Sequence, residues 1–164
     1  MSLVSFAFAC STGAKRDDSS PMPPPAVEPT KPRVGPKVYF ATDHGEIPVD
    51  VEIVATEAKI EKGMMYRQHL PPDDGMLFLL GVTKDWSFWM RNTLIPLDII
   101  FITPEMTIAG IVENAEPRNE TLRRVGVPSL YVVEVNGGWT ATHGVKTGGK
   151  VRFADVPKTE QEQH

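Results

Sequence analysis

The chain has 164 residues, 41% hydrophobic and 23% charged, with a net charge of −4 at pH 7. That length suits one domain, able to bury roughly 60–70% of its unfolded surface. An acidic balance supplies no basic face to displace counterions from phosphates, so no nucleic-acid partner is expected. The single cysteine, Cys10, excludes an intrachain disulfide.

The run Leu3-Val4-Ser5-Phe6-Ala7-Phe8-Ala9 is apolar, carries small residues before Cys10, and is followed by Ser11-Thr12-Gly13. This has the form of a bacterial lipoprotein signal, in which the cysteine thiol is lipid-modified and becomes the new N-terminus. Only nine residues precede Cys10, none of them Lys or Arg, whereas signals usually run about 15–30 residues with a basic start. A chance cysteine in a disordered tail is the plain alternative. The run is also too short to cross a membrane, which takes about 20 apolar residues. Residues 11–36 hold seven of the chain's 15 prolines and read as an extended, Pro-rich tether. The expectation is an exported, periplasmic or cell-surface lipoprotein, monomeric, touching its membrane through a lipid anchor alone.

A single globular domain is expected over residues 37–153, with a frayed polar tail at 154–164. Residues 38–40 read as a strand and 42–46 as a turn. Residues 47–54 alternate apolar and polar, marking a half-buried strand that starts or lies at an edge because of Pro48. Thr56 is placed to cap a short helix over 57–66, which Gly63 weakens. After the turn-rich 70–75, residues 76–80 form an unbroken apolar run suited to a fully buried strand. Strand character returns at 86–90 and more clearly at 94–102. A turn at 103–106 leads to a strand over 107–113, in which Gly110 would mark a bulge. Residues 114–128 lack periodicity and read as a long surface loop or lid. Residues 130–135 carry the strongest strand signal. Gly137-Gly138 then turns the chain into a short helix at 139–143, and 150–153 closes the domain. Many short strands, tight turns and no long amphipathic helix predict a mainly β fold: an antiparallel, jelly-roll-like sandwich or barrel with one or two short helices.

Gly63-Met64-Met65-Tyr66-Arg67, Leu70-Pro71, Gly75-Met76-Leu77-Phe78, the block from Phe88 to Ile99, Tyr131-Val132-Val133-Glu134 and His143-Gly144-Val145-Lys146-Thr147-Gly148 form a set. Together they resemble the bacterial and archaeal family known as domain of unknown function 192. The resemblance covers about residues 49–151. It implies a compact jelly-roll-like fold, often in exported or lipid-anchored proteins, and implies no established reaction. Members commonly read Gly-Leu-Met where Gly63-Met64-Met65 stands. They commonly read Gly-Asp where this chain has Gly148-Gly149, so no family acid can be assigned there.

The densest chemistry lies in Ser87-Phe88-Trp89-Met90-Arg91-Asn92-Thr93-Leu94-Ile95-Pro96-Leu97-Asp98. Asp98 stands between Leu97 and Ile99, where an ionised carboxylate needs partners. Arg67 and Arg91, planar and always charged, are the natural ones. One reading makes Arg67, Trp89, Arg91, Asn92, Thr93 and Asp98 a site for a small polar ligand, with an exposed Trp stacking on a sugar ring. The other makes them an internal network that pins the passage from Trp89 to Pro96, and that reading is favoured. Met64, Met65, Met76 and Met90 could form a thioether site for Cu(I), though methionine more often fills cores. His44, His69 and His143 lack paired zinc-ligand spacing, so no metal or other cofactor is expected. Glu134 and Asp98 could pair as the acid and base of a glycosidase only at a suitable separation.

The expected function is therefore an envelope-anchored, non-enzymatic accessory domain binding a small polar or carbohydrate-like ligand or an envelope protein. The alternatives are a hydrolase of envelope polymers using Asp98 with an arginine, and a Met-lined copper carrier.

Overall fold

The computed structural model describes residues 34–157. Cys10, most of the expected tether and the end of the expected tail lie outside the described residues. Seven strands run in chain order: β1 (Lys37–Thr42), β2 (Gly45–Val54), β3 (Asp74–Lys84), β4 (Leu97–Ile102), β5 (Ile108–Ala115), β6 (Ser129–Asn136) and β7 (Val151–Ala154). Two short helices accompany them, α1 (Glu57–Lys62) and α2 (Trp139–His143).

The strands form one sheet in the order β5-β4-β6-β3-β2-β1-β7. Its two edge strands approach each other: Thr107 bridges Lys150, and the Ile108 N–H donates to the Gly149 carbonyl at 2.9 Å. The sheet thus curls into a half-barrel, the mainly β architecture expected, built from one sheet. Five of the six strand pairs are antiparallel, as the tight turns predict. The exception is β2–β3, which pair in parallel from Asp50 opposite Asp74 to Val54 opposite Phe78. A parallel neighbour requires the chain to return to the starting end of the sheet; α1 and the turns after it make that return.

The sheet has an apolar cluster on each face. Phe40, Leu77, Ile100, Ile102, Tyr131, Val133 and Trp139 belong to the inner one. Met64, Met76, Phe78, Met90, Ile99, Phe101 and Val132 belong to the outer one. β4 is buried at all six positions and β6 at seven of eight, which is why both read as continuous apolar runs rather than alternating ones.

Local readings differ at four places. Pro48 neither starts β2 nor puts it at an edge: β2 begins at Gly45 and lies between β1 and β3, but its pairing with β3 begins only at Asp50, past the proline. Residues 86–90 form no extended strand: Phe88 bridges Arg123 alone, while the Trp86 indole N–H turns back to the Val82 carbonyl at 3.0 Å. The expected long loop after β5 supplies the other half of that bridge, and the Met90 N–H donates to the Asn119 carbonyl at 2.8 Å. The two segments therefore zip together as a cover over the outer cluster. Helix α1 stops at Lys62, because Gly63 takes φ 44°, ψ −131°, and the Thr56 side chain makes no capping bond.

Candidate functional site

Asp98 is completely buried. Its Oδ1 accepts from the backbone N–H of Asn114 at 2.7 Å and of Gly138 at 2.9 Å. Its Oδ2 accepts from the Thr140 N–H at 2.8 Å and the Thr140 hydroxyl at 2.6 Å. The carboxylate thereby joins β4 to the bend in β5 and to the start of α2. Fixed charge-assisted bonds of this kind stabilise an ionised group out of water. The expected arginine partners lie elsewhere: Arg67 pairs with Glu52 on the surface, and Arg91 stands 3.6 Å from Glu120, both of them exposed. Asp98 does sit in a buried internal network, but its partners are backbone N–H groups and a threonine at Asn114, Gly138 and Thr140, not the expected guanidinium groups or the passage from Trp89 to Pro96.

Register decides what Asp98 and Glu134 can do together. In the β4–β6 pair Asp98 lies opposite Val135, and Ile99 lies opposite Glu134. Opposed residues share a face and successive residues alternate, so Asp98 points to the inner side and Glu134 to the outer. The sheet separates the two carboxyls, and they cannot flank one glycosidic bond.

Glu134 is the unusual group. Its residue is 4% exposed, and its Oε2 has no hydrogen-bond partner. Burial pushes the carboxyl up to about 8, against a lesser opposing pull from the Arg67 guanidinium. It forms part of the wall of a cavity of about 270 Å³ on the outer face. The rest of the wall comes from α1 and its exit (Ile60, Gly63, Met64, Met65), from β3 (Phe78) and from the cover (Trp86, Ser87, Phe88, Trp89, Thr93, Leu122). Phe88 packs edge-to-face on Phe78 with ring centroids 5.3 Å apart, a geometry that fixes one wall.

Gly63 keeps the carboxyl reachable. A Cβ there would stand 3.3 Å from Phe78 Cζ and 3.7 Å from Glu134 Oε2. The turn after it is tied to the segment that leads into Thr93, since the Tyr66 N–H donates to the Asn92 carbonyl at 2.9 Å. Both Tyr66 and Asn92 adopt positive φ there.

Of the six residues expected to form a ligand site, Trp89 and Thr93 line this cavity. Asn92 braces it, Arg67 and Arg91 lie in exposed pairs, and Asp98 is on the other face. Three of the four methionines, Met64, Met76 and Met90, are at most 2% exposed within the outer cluster, where they act as packing. Among the described residues no group of three or more His, Cys, Asp or Glu is placed to hold a metal ion. From the sequence, Glu134 enters only as a partner for Asp98. The signal available was an acid inside Leu130-Tyr131-Val132-Val133-Glu134-Val135.

The fold and site together define a β half-barrel domain with an apolar cavity on its outer face. Residues 39–153 match the family DUF192, described as Uncharacterized ACR, and the chain belongs to that family. It is similar to the crystal structure of a candidate transcription regulator from Sinorhizobium meliloti 1021. That match has 37% identity and a TM-score of 0.70, over 74% of this chain and 95% of that one. It is also similar to a protein of unknown function from Novosphingobium aromaticivorans DSM 12444, with 40% identity and a TM-score of 0.69, over 71% of this chain and 83% of that one. No curated protein matches the chain.

Proposed function

We propose that this protein is a non-enzymatic binding module of the cell envelope, held there by a lipid on Cys10, whose outer-face cavity takes a small amphipathic ligand. The observation that carries the binding reading is the Glu134 carboxyl, buried and lacking a partner for Oε2, in a largely apolar wall that includes four aromatic side chains and two thioethers. A buried polar atom without a partner costs about 1–3 kcal/mol, and a cavity holding one beside rigid aromatic walls is the usual form of a ligand site. Trp86 and Trp89 supply faces on which a ring could stack, which fits the carbohydrate-like ligand expected from the sequence. The envelope half of the reading rests on the apolar run before Cys10 and the proline-rich segment after it.

A thermal-shift screen of the full chain against sugars, peptidoglycan fragments and small aromatic compounds tests the binding half, run beside Trp89→Ala. A compound that raises the midpoint of the parent protein but not of the variant supports the cavity as the site. A screen in which nothing raises the parent midpoint sinks the reading. The anchoring half is read separately: Cys10→Ser should move the protein from the membrane fraction to the soluble one, and an unchanged distribution would overturn it.

A further inference from the structure

Resting on that binding reading, we infer that the cavity takes a compact, uncharged ring molecule whose carbonyl-type oxygen accepts a hydrogen bond from the Glu134 carboxyl. Size sets the first limit. A dry cavity of about 150 Å³ holds benzene, so about 270 Å³ has room for one ring with a polar substituent.

Charge sets the second. An organic anion would have to be desolvated in the same surroundings whose burial already disfavours the ionised form of Glu134. The nearest opposite charge, Arg67, is paired with Glu52 at the surface. An organic cation would have to share indoles that already carry cations: Lys84 Nζ sits 3.8 Å from the Trp86 ring centroid, and the Arg91 guanidinium 5.6 Å from that of Trp89. A ring bearing a cation on one face has less attraction left for a second. A neutral acceptor meets neither obstacle and satisfies the group that the fold leaves unpaired. The terminal torsion of a glutamate is broad, so rotation can offer either carboxyl oxygen to the cavity.

The bond requires the carboxyl to keep its proton, so binding is coupled to ionisation of Glu134. The ionisable groups around it are few: Arg67 after α1, and Glu61 and Lys62 on the exposed rim. On the flanking strands, its neighbours Met76 on β3 and Ile99 on β4 are both uncharged.

Ligand-observed NMR titrations of the full chain with acetophenone, a ring with a carbonyl acceptor and no N–H or O–H donor, beside benzylammonium, benzoate and toluene, test this. Acetophenone should bind more tightly than the other three, and its affinity should fall about tenfold per pH unit above about pH 8. Glu134→Gln, which keeps an N–H donor but cannot titrate, should bind acetophenone with a flat pH profile. Preference for benzylammonium that grows with pH would overturn the neutral-acceptor class while leaving the binding reading standing. Toluene binding as tightly as acetophenone, or a flat profile in the parent protein, would likewise overturn it by removing the hydrogen bond. If none of the four binds, the neutral-ring class is overturned, and the thermal-shift screen decides the binding reading separately.

Discussion

Asp98 and Glu134 belong to adjacent strands and are one register step apart, yet they point to opposite faces of the sheet. One is saturated with hydrogen bonds and the other has an oxygen with none. The same side-chain chemistry therefore serves as a fastener on the inner side and as an open contact on the outer. The two can be separated by mutation.

Asp98→Asn should destabilise the domain by about 3 kcal/mol, because the new amide N–H₂ faces N–H donors and leaves buried groups unpaired. Thr140→Val, which removes only the 2.6 Å hydroxyl bond, should cost about 1–2 kcal/mol. Urea unfolding measures both. A near-zero change in Asp98→Asn would show that the network contributes little.

Stability should fall as pH rises through the neutral range. The Glu134 carboxyl lies at about 8 in the folded protein against 4.5 for a free one, so the folded state binds this proton more tightly. Its contribution is complete below about pH 4.5 and is lost as pH rises toward and through about 8, with a slope of up to about 1.4 kcal/mol per unit. Glu134→Gln should abolish that slope. The exposed carboxylates Asp43 and Glu46, held low by hydrogen bonds from Lys146 and Arg152, act in the opposite sense and only at more acid pH. Unfolding midpoints measured from acid to mildly alkaline pH decide the matter.

Gly63→Ala should both strain the backbone and narrow the cavity. The residue sits at φ 44°, ψ −131°, a region costing a side chain about 1–3 kcal/mol, and the new methyl would press on Phe78. A lowered melting midpoint together with loss of any cavity ligand is expected. Retention of both would show that the turn relaxes freely.

Gly110 lets the cover pass over β5, since a Cβ there would lie 2.7 Å from that of Val125. Gly110→Ala should cost about 1–3 kcal/mol through overpacking. Adding Val125→Ala should recover part of that loss, giving a non-additive cycle. Simple additivity would mean that the strand, not Val125, absorbs the clash.

Much of the fold was legible because β4 and β6 are buried on both faces and write that fact as unbroken apolar runs. The parallel β2–β3 pair was not, since α1 is too short and too polar to announce a crossover: none of its residues is buried. Residues 86–90 read as a strand because aromatic residues favour strands, but their rings are used to cover the outer cluster. Asp98 and Glu134 look alike in sequence, each an acid among apolar neighbours. What distinguishes them is backbone N–H groups from β5 and α2 in one case and their absence in the other, and backbone donors leave no trace in a side-chain pattern. The cavity wall is assembled from segments around residues 60, 88 and 122, so only tertiary structure brings it together.

The pairing of β1 with β7 places Lys37 directly opposite Ala154, so the chain enters and leaves the sheet at one point. A pull applied through both flanks would act across this pair at its end, opening its hydrogen bonds one after another instead of loading them all in shear. The domain should therefore yield at low force from that seam, while the buried β4–β6 centre stays closed. Single-molecule stretching would register this as a small early step before the main rupture.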